Sequence, residues 1–492
     1  MKSGLLILCL ALAWSPAVLA GSRIVTETFD LEFGSDGTLD SATSCFPSRS
    51  HPAASCGFFG TRGVIGHDVI DEVIDEAGNG NWTQISNHSN THFELRFEHT
   101  SGASLNWKIP LSGYLLELRA EAAGPLRIRS GTSFRSREAA GFGAWLEQTR
   151  YLGISDGSVT QLGLDEEEST GLVAEQWIGY RNRFWVLLAS NGRKLEAQIK
   201  SGEETMDVEM SLAAGEEAAD TFSAHTWSLY LGPVEPGALR SADPELSGIL
   251  YAGLWFWLRW ICFALYYIFS WIAAVIPSWG LAVMALSLTV NILMRPLSRI
   301  AERFQQQVHE TEALLAPELQ RIKKEFKGEK QAAKILALYK TERVHPLYSL
   351  KSMVGVAVVI PVFIGAFDML AENIHLLNAS FLWIADLSRP DALMKLPFSL
   401  PFFGQDLNLL PFLMTGLSTV ASVLHNPPAL NAELRKKQVR NMFLLAAGFF
   451  ALFYTFPAGM VLYWATSNLI SVIKSIWGRR DNGDQAAAKS ET

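Results

Sequence analysis

The chain has 492 residues, enough for two or more domains, and 49% of them are apolar against 18% charged. Its formal charge of −8 is unevenly spread, with acidic clusters such as Asp165-Glu166-Glu167-Glu168 early and Lys and Arg gathered in segments of the second half. The net acidity is therefore no argument about nucleic acid, and the absence of a glycine-rich phosphate loop or a nucleophile elbow removes the commonest local signals of an enzyme.

At the start, Lys2 precedes an apolar run from Leu5 to Trp14, too short for a ~30 Å hydrocarbon core. Pro16 breaks it, and Val18-Leu19-Ala20 offers small residues for cleavage. Residues 1–20 read as a signal peptide cut after Ala20, with a retained anchor as the alternative; in either case the chain from Gly21 onward is exported. Cys9 follows a leucine, which argues against a lipoprotein signal.

Residues 21–245 show a period of two, as in Phe93-Glu94-Leu95-Arg96-Phe97-Glu98 and Leu116-Glu117-Leu118-Arg119-Ala120-Glu121. Turn clusters such as Gly78-Asn79-Gly80-Asn81 separate the runs, and Phe184 to Leu188 is continuously apolar. This pattern predicts an exported all-β sandwich. Cys45 and Cys56 flank a Pro/Ser-rich loop, so an oxidising compartment would allow a disulfide between them. Cys262 lies in an apolar segment and reads as a small buried hydrophobe. His88 and His92 have a spacing that suits a metal site on a helix, but the intervening Ser89-Asn90-Thr91 is turn-like, so both read as solvated loop residues. No metal or cofactor is expected.

The second half reads as an α-helical membrane bundle of five core spans. The boundaries are 278–298, 351–372, 409–426, 441–456 and 457–477. The last two come from one apolar run of 37 residues; as a single helix it would measure roughly 55 Å, so Pro457 and Gly459 mark a hairpin turn. Segment 246–277 is apolar and aromatic but holds Arg259. Charge parity places it along the outer interface. From Arg299 through Lys351 the chain carries eleven Lys and Arg, which keep 299–350 cytoplasmic as a helical hairpin. Only one crossing then separates it from the exported domain, and 278–298 supplies that crossing. The loop 373–408 carries only Arg389 and Lys395 and falls outside. Arg435, Lys436, Lys437 and Arg440 hold 427–440 inside, and Arg479 and Arg480 hold the tail 478–492 inside.

Four motifs then stand in order: Leu338 to Leu347, Ile360-Pro361-Val362-Phe363, Phe381-Leu382-Trp383-Ile384-Ala385-Asp386-Leu387-Ser388, and Phe456-Pro457-Ala458-Gly459-Met460-Val461-Leu462-Tyr463-Trp464 with its continuation to Leu469. Their order and spacing resemble the YidC-type membrane protein insertases from about Leu246 to Trp477. Leu229-Tyr230-Leu231-Gly232-Pro233 is similar, more weakly, to the end of that family's periplasmic sandwich. The resemblance implies residence in the bacterial inner membrane and insertion of nascent membrane proteins without nucleotide hydrolysis. It also implies partnership with the Sec translocon and ribosomes.

The chain departs from the family in places. An arginine expected five residues before Pro296 is Asn291, and Arg295 stands four residues later, close to the same face of a continuous helix. A glutamine expected before Pro361 is Val359, and a Gly-Gly pair is Tyr348-Ser349. The tail is short and holds few cations.

Moving charged client flanks through hydrocarbon is costly, and a polar groove open to lipid and cytoplasm would shorten the path. Its candidate lining is Ser287, Thr289, Asn291 and Arg295 on the first span, Thr415, Ser418 and Ser422 on the third, and Thr466, Ser467 and Asn468 on the last. The competing reading of the Ser and Thr residues is hydrogen-bonding glue between packed membrane helices; that of Arg295 is snorkelling to the cytoplasmic surface. Arg295 would attract acidic flanks while Asn291 and Thr289 hydrogen-bond them. A transporter or channel, or a membrane-anchored periplasmic carbohydrate-active protein, are the alternatives; no repeated halves support the first.

Overall fold

The computed structural model describes residues 22–47, 56–60, 66–67, 82–123, 127–130, 139–163, 171–201, 208–213, 222–342, 344–345, 353–425 and 432–490. The signal segment, the acidic run at Asp165 and the Tyr348-Ser349 pair lie outside them.

Alternation becomes layered antiparallel sheet. A nine-stranded sheet runs, edge to edge, through Ser158–Gly163, Arg150–Ser155, Trp177–Arg181, Trp185–Ser190, Phe222–Pro233, Leu115–Ala123, Ser104–Pro110, His92–His99 and Trp82–His88. A four-stranded sheet (Ser22–Val25, Phe29–Phe33, Leu39–Cys45, Cys56–Gly60) packs on it, and so does a five-stranded one beginning at Gly171–Ala174. Phe33, Phe97, Trp107 and Trp227 fill the space between, all nearly inaccessible. Trp107 Nε1 donates to Gly37 O across the layers at 2.9 Å, which satisfies the indole where water cannot reach. Trp185–Ser190 is buried on both faces, as its unbroken apolar run requires. Cys45 and Cys56 are paired directly across two neighbouring strands and joined by a disulfide. His92 ends up on a strand, with Nε2 2.9 Å from Glu94 Oε1.

Among the described residues the second half is helical: α1 (Pro236–Ala242), α2 (Phe256–Val275), α3 (Trp279–Leu293), α4 (Arg295–Glu325), α5 (Glu329–Thr341), α6 (Met353–Ala371), α7 (Leu410–His425), α8 (Ala432–Phe453) and α9 (Ala458–Ser490). One of them, α2, is long and apolar enough to cross a membrane alone. The apolar stretches Val359–Ala371, Leu410–Leu424 and Val439–Phe453 are shorter, and α3 qualifies only together with the start of α4 across a 50° bend. The fold is thus a β-rich N-terminal part and a helical C-terminal region, and helix length does not by itself give a count of five spans.

Three boundaries differ from expectation. The first span does not run to 298: it ends at Leu293, because Pro296 cannot donate to the preceding turn and opens a new helix instead. α8 begins inside the expected 427–440 loop and α9 continues through the expected tail, where Lys, Arg, Gln and Ala favour helix.

The basic segment forms a helical hairpin. α4 is about 46 Å long, and Val308, Leu315 and Ile322, seven residues apart, are its buried stripe. Gly328, at φ +63°, turns the chain into α5. Gln331 Nε2 donates to Phe326 O at 3.0 Å and holds the turn.

Candidate functional site

The expected lining residues occupy four helices, α3, α7 and α9 with Arg295 alone on α4. Ser287 is fully buried, and its Oγ donates to Tyr463 O on α9 at 3.0 Å. One turn on, Asn291 Nδ2 donates to Ser287 O and to Ser467 Oγ, each at 3.0 Å. Lys474 Nζ approaches Asn291 Oδ1 at 3.5 Å. On the other side of α9, Asn468 Nδ2 donates to Met414 O of α7 at 3.3 Å. These contacts make one polar seam from α3 through α9 to α7. Asn291 is its node, with both amide protons and its carbonyl oxygen engaged.

The remaining candidates are less connected. Thr289 and Thr466 bond back to the carbonyls of Ala285 and Leu462, four residues earlier on their own helices, the usual local outlet for a threonine in a helix. Ser418 and Ser422 are half-buried on α7. Thr415 Oγ1 is buried without a hydrogen-bond partner among the described residues, which leaves a polar atom facing the α7–α9 side of the seam. Opposite, Trp464 packs edge-on against Phe363 at 4.4 Å and stacks on Phe449 and Phe453. The seam therefore has an apolar aromatic back.

Arg295 is exposed at the first residue of α4, beyond the break, and makes no hydrogen bond or ion pair to a described residue. Its placement one turn from Asn291 on a shared face assumed a continuous helix, and the break removes that geometry. The cation at Asn291 is Lys474, which sequence reasoning passed over. A lysine inside an apolar run was the available signal, because ionisable residues are rare in membrane helices unless they serve a purpose.

A second polar constellation joins the β-rich part to the helices. The strand-connecting segment after Trp177–Arg181 carries Arg183, whose side chain is 3% exposed. Its Nη1 donates to Glu147 Oε1 at 2.7 Å and to Ser388 O at 2.8 Å, and its Nε to Ala371 O at 2.6 Å. Arg181 Nη2 lies 3.1 Å from Glu372 Oε1 and Nη1 donates to Ile249 O. The loop between α6 and α7 is equally fixed: Asp391 Oδ2 accepts from Trp383 Nε1 and from the backbone amides of Leu409 and Leu410 at the start of α7. The turn expected at Pro457 and Gly459 lies between α8 and α9, and Gly459 N donates to Leu387 O of that loop.

A short 3-10 turn, Gly141–Glu147, presses on the same turn. Gly143 N donates to Thr455 Oγ1 at 3.1 Å, and a Cβ on Gly143 would strike the Thr455 carbonyl oxygen. Gly143→Val should therefore push the β-rich part off the α8–α9 turn and lower the melting temperature by several degrees, as an overpacked contact costs about 1–3 kcal/mol. Circular dichroism melting in detergent reads this, and an unchanged transition would contradict the contact.

Residues 271–485 match the family described as 60Kd inner membrane protein. Over 266 residues the chain is 31% identical to the membrane protein insertase YidC of Methylobacillus flagellatus, covering 54% of this chain and 43% of that protein. Over those residues the chain is similar to the YidC-type membrane protein insertases. The YidC of Laribacter hongkongensis is 28% identical over 322 residues, 62% of this chain and 52% of that one. The chain spans about half the length of the curated relatives it matches. A solved structure of an active YidC insertase with its first transmembrane domain resolved corresponds over 93% of both chains, at 17% identity and a TM-score of 0.36. The matched region contains the whole polar seam, the α4–α5 hairpin and the loop between α6 and α7; the strands of the three large sheets and α1 precede it.

Proposed function

We propose that this protein is an inner-membrane insertase that passes client transmembrane segments along the α3–α9–α7 seam, without nucleotide hydrolysis. The observation that carries the reading is the continuous run of polar contacts from Ser287 to Lys474 inside the region shared with the insertase relatives. α3, α6, α7, α8 and α9 serve as five core spans, with the β-rich part outside and the tail inside. Lys474 and Arg295 put positive charge at the cytoplasmic end of the seam, where a client's acidic flank arrives. The α4–α5 hairpin receives the client, and Sec translocon and ribosome are its partners.

The contacts of α2 support its lying along the outer surface despite its length. Its Tyr266 hydroxyl donates to Glu235 Oε1 at 2.7 Å, Arg240 of α1 donates to the Tyr267 hydroxyl, and Arg259 donates to Gly248 O. A transverse helix would carry Tyr266 about 15 Å below its start, away from α1. Trp255, Trp257, Trp260 and Trp271 remain exposed for the headgroup layer.

Charge variants separate the groove from a structural seam. In insertion assays with acidic-flanked and neutral-flanked single-span clients, Lys474→Ala combined with Arg295→Ala should lower insertion of the acidic client by about tenfold, the scale of one lost partly desolvated charge interaction, and leave the neutral client nearly unchanged. Equal loss for both clients would mean a structural effect alone. A reporter at Gly328 active on the outer side would contradict the topology.

A further inference from the structure

A cavity of about 440 Å³ opens between the β-rich part and the outer ends of α6 and α8. Its lining is apolar at Phe363, Phe367, Leu452 and Phe453 and carries charge at Arg150, on a strand, and at Asp368, beside Phe367 on α6. The neighbouring charges are already matched, Arg181 with Glu372 and Arg183 with Glu147. Arg150 and Asp368 feel each other's charge, and that of Glu372, without forming a contact ion pair. Arg150 reaches Gln161 Oε1 only at 3.4 Å and lies over the Trp145 ring at 5.7 Å. The half-buried Asp368 carboxylate has no side-chain hydrogen bond or ion pair to a described residue. Burial, and then the adjacent Arg181 guanidinium, hold the Arg150 pKa below the ordinary arginine value despite the nearby Glu372 and Asp368 carboxylates.

A carboxylate and a guanidinium line one cavity together with a hydrocarbon-like group of side chains, at the ends of two helices read as membrane spans. That arrangement matches one class of molecule on three counts: a phosphate for Arg150, a primary ammonium for Asp368, and an acyl chain for the phenylalanine wall. We propose, resting on the membrane topology read above but not on the insertase activity, that this cavity is a binding site for a phospholipid with an ethanolamine headgroup in the outer leaflet. The ammonium donates hydrogen bonds to Asp368, which a trimethylated choline headgroup cannot do, so the site discriminates between the two.

The test uses the full chain, equilibrated in vesicles of equal phosphatidylethanolamine, phosphatidylcholine and phosphatidylglycerol, extracted gently, with retained lipid quantified by mass spectrometry. The parent protein should retain phosphatidylethanolamine over phosphatidylcholine by about fivefold, the scale of one charge-assisted hydrogen bond. Stepwise N-methylation of the headgroup should remove that preference in the parent itself, whatever the folding of any variant. Asp368→Asn should bring the two lipids to parity, and Arg150→Gln should reduce retention of all three. Parity in the parent, a preference indifferent to N-methylation, or enrichment of no phospholipid, which would leave the cavity to a peptide segment, each overturns the proposal.

Discussion

Arg183→Ala is expected to destabilise the protein by about 3–5 kcal/mol, because it leaves Glu147 charged, buried and alone. Glu147 itself is 7% exposed. The same substitution frees two backbone carbonyls, Ala371 O and Ser388 O, that Arg183 satisfies at the end of α6 and in the loop between α6 and α7. The consequence should be regional as well as global. The β-rich part and the helices are joined through this side chain, so limited proteolysis should release a β fragment from the variant well below its melting point. The double variant Arg183→Met with Glu147→Leu should recover much of the loss, since a matched apolar pair need not desolvate charge. If the single variant melts with the parent, the junction does not hold the two parts together.

Asn291→Arg is the second large effect. It restores the residue type that the family resemblance leads one to expect, yet it should harm this protein. A guanidinium at Asn291 would meet the Lys474 ammonium, now 3.5 Å from Asn291 Oδ1. Like charges at such a distance repel by about 4 kcal/mol in a partly shielded setting, and relaxation of two long side chains should reduce the loss to about 2 kcal/mol. Lys474→Gln in the same chain should restore most of it, giving a strongly non-additive double-mutant cycle. Thermal unfolding in detergent measures all four corners. Additive destabilisation would show that Asn291 and Lys474 do not share a site.

The β-rich part was legible because period two and burial agree, as at Leu95, Arg96 and Phe97, and because an uninterrupted apolar run such as Trp185–Ser190 has few other homes. Most of the seam was legible as residue types: Ser287, Asn291, Ser467 and Asn468 stood out as polar positions in apolar runs. Their partners did not, because a helix–helix register is set by packing between segments far apart in sequence; Ser287 and Tyr463 are joined across the bundle. The break before Arg295 was visible as Pro296, but an apolar run continues up to it and masks the change of helix. Arg181 and Arg183 resembled ordinary turn charges beside Asn182. Their partners Ala371, Glu372 and Ser388 lie in another part of the chain, and no local pattern encodes such a pairing.

The most direct test is insertion of a small single-span client into liposomes that hold only this purified protein. Protease-protected client above the empty-liposome level, sensitive to Lys474→Ala when its flank is acidic, is the predicted result. No protected client from a reconstituted, folded protein would contradict the claim that the α3–α9–α7 seam inserts membrane segments by itself.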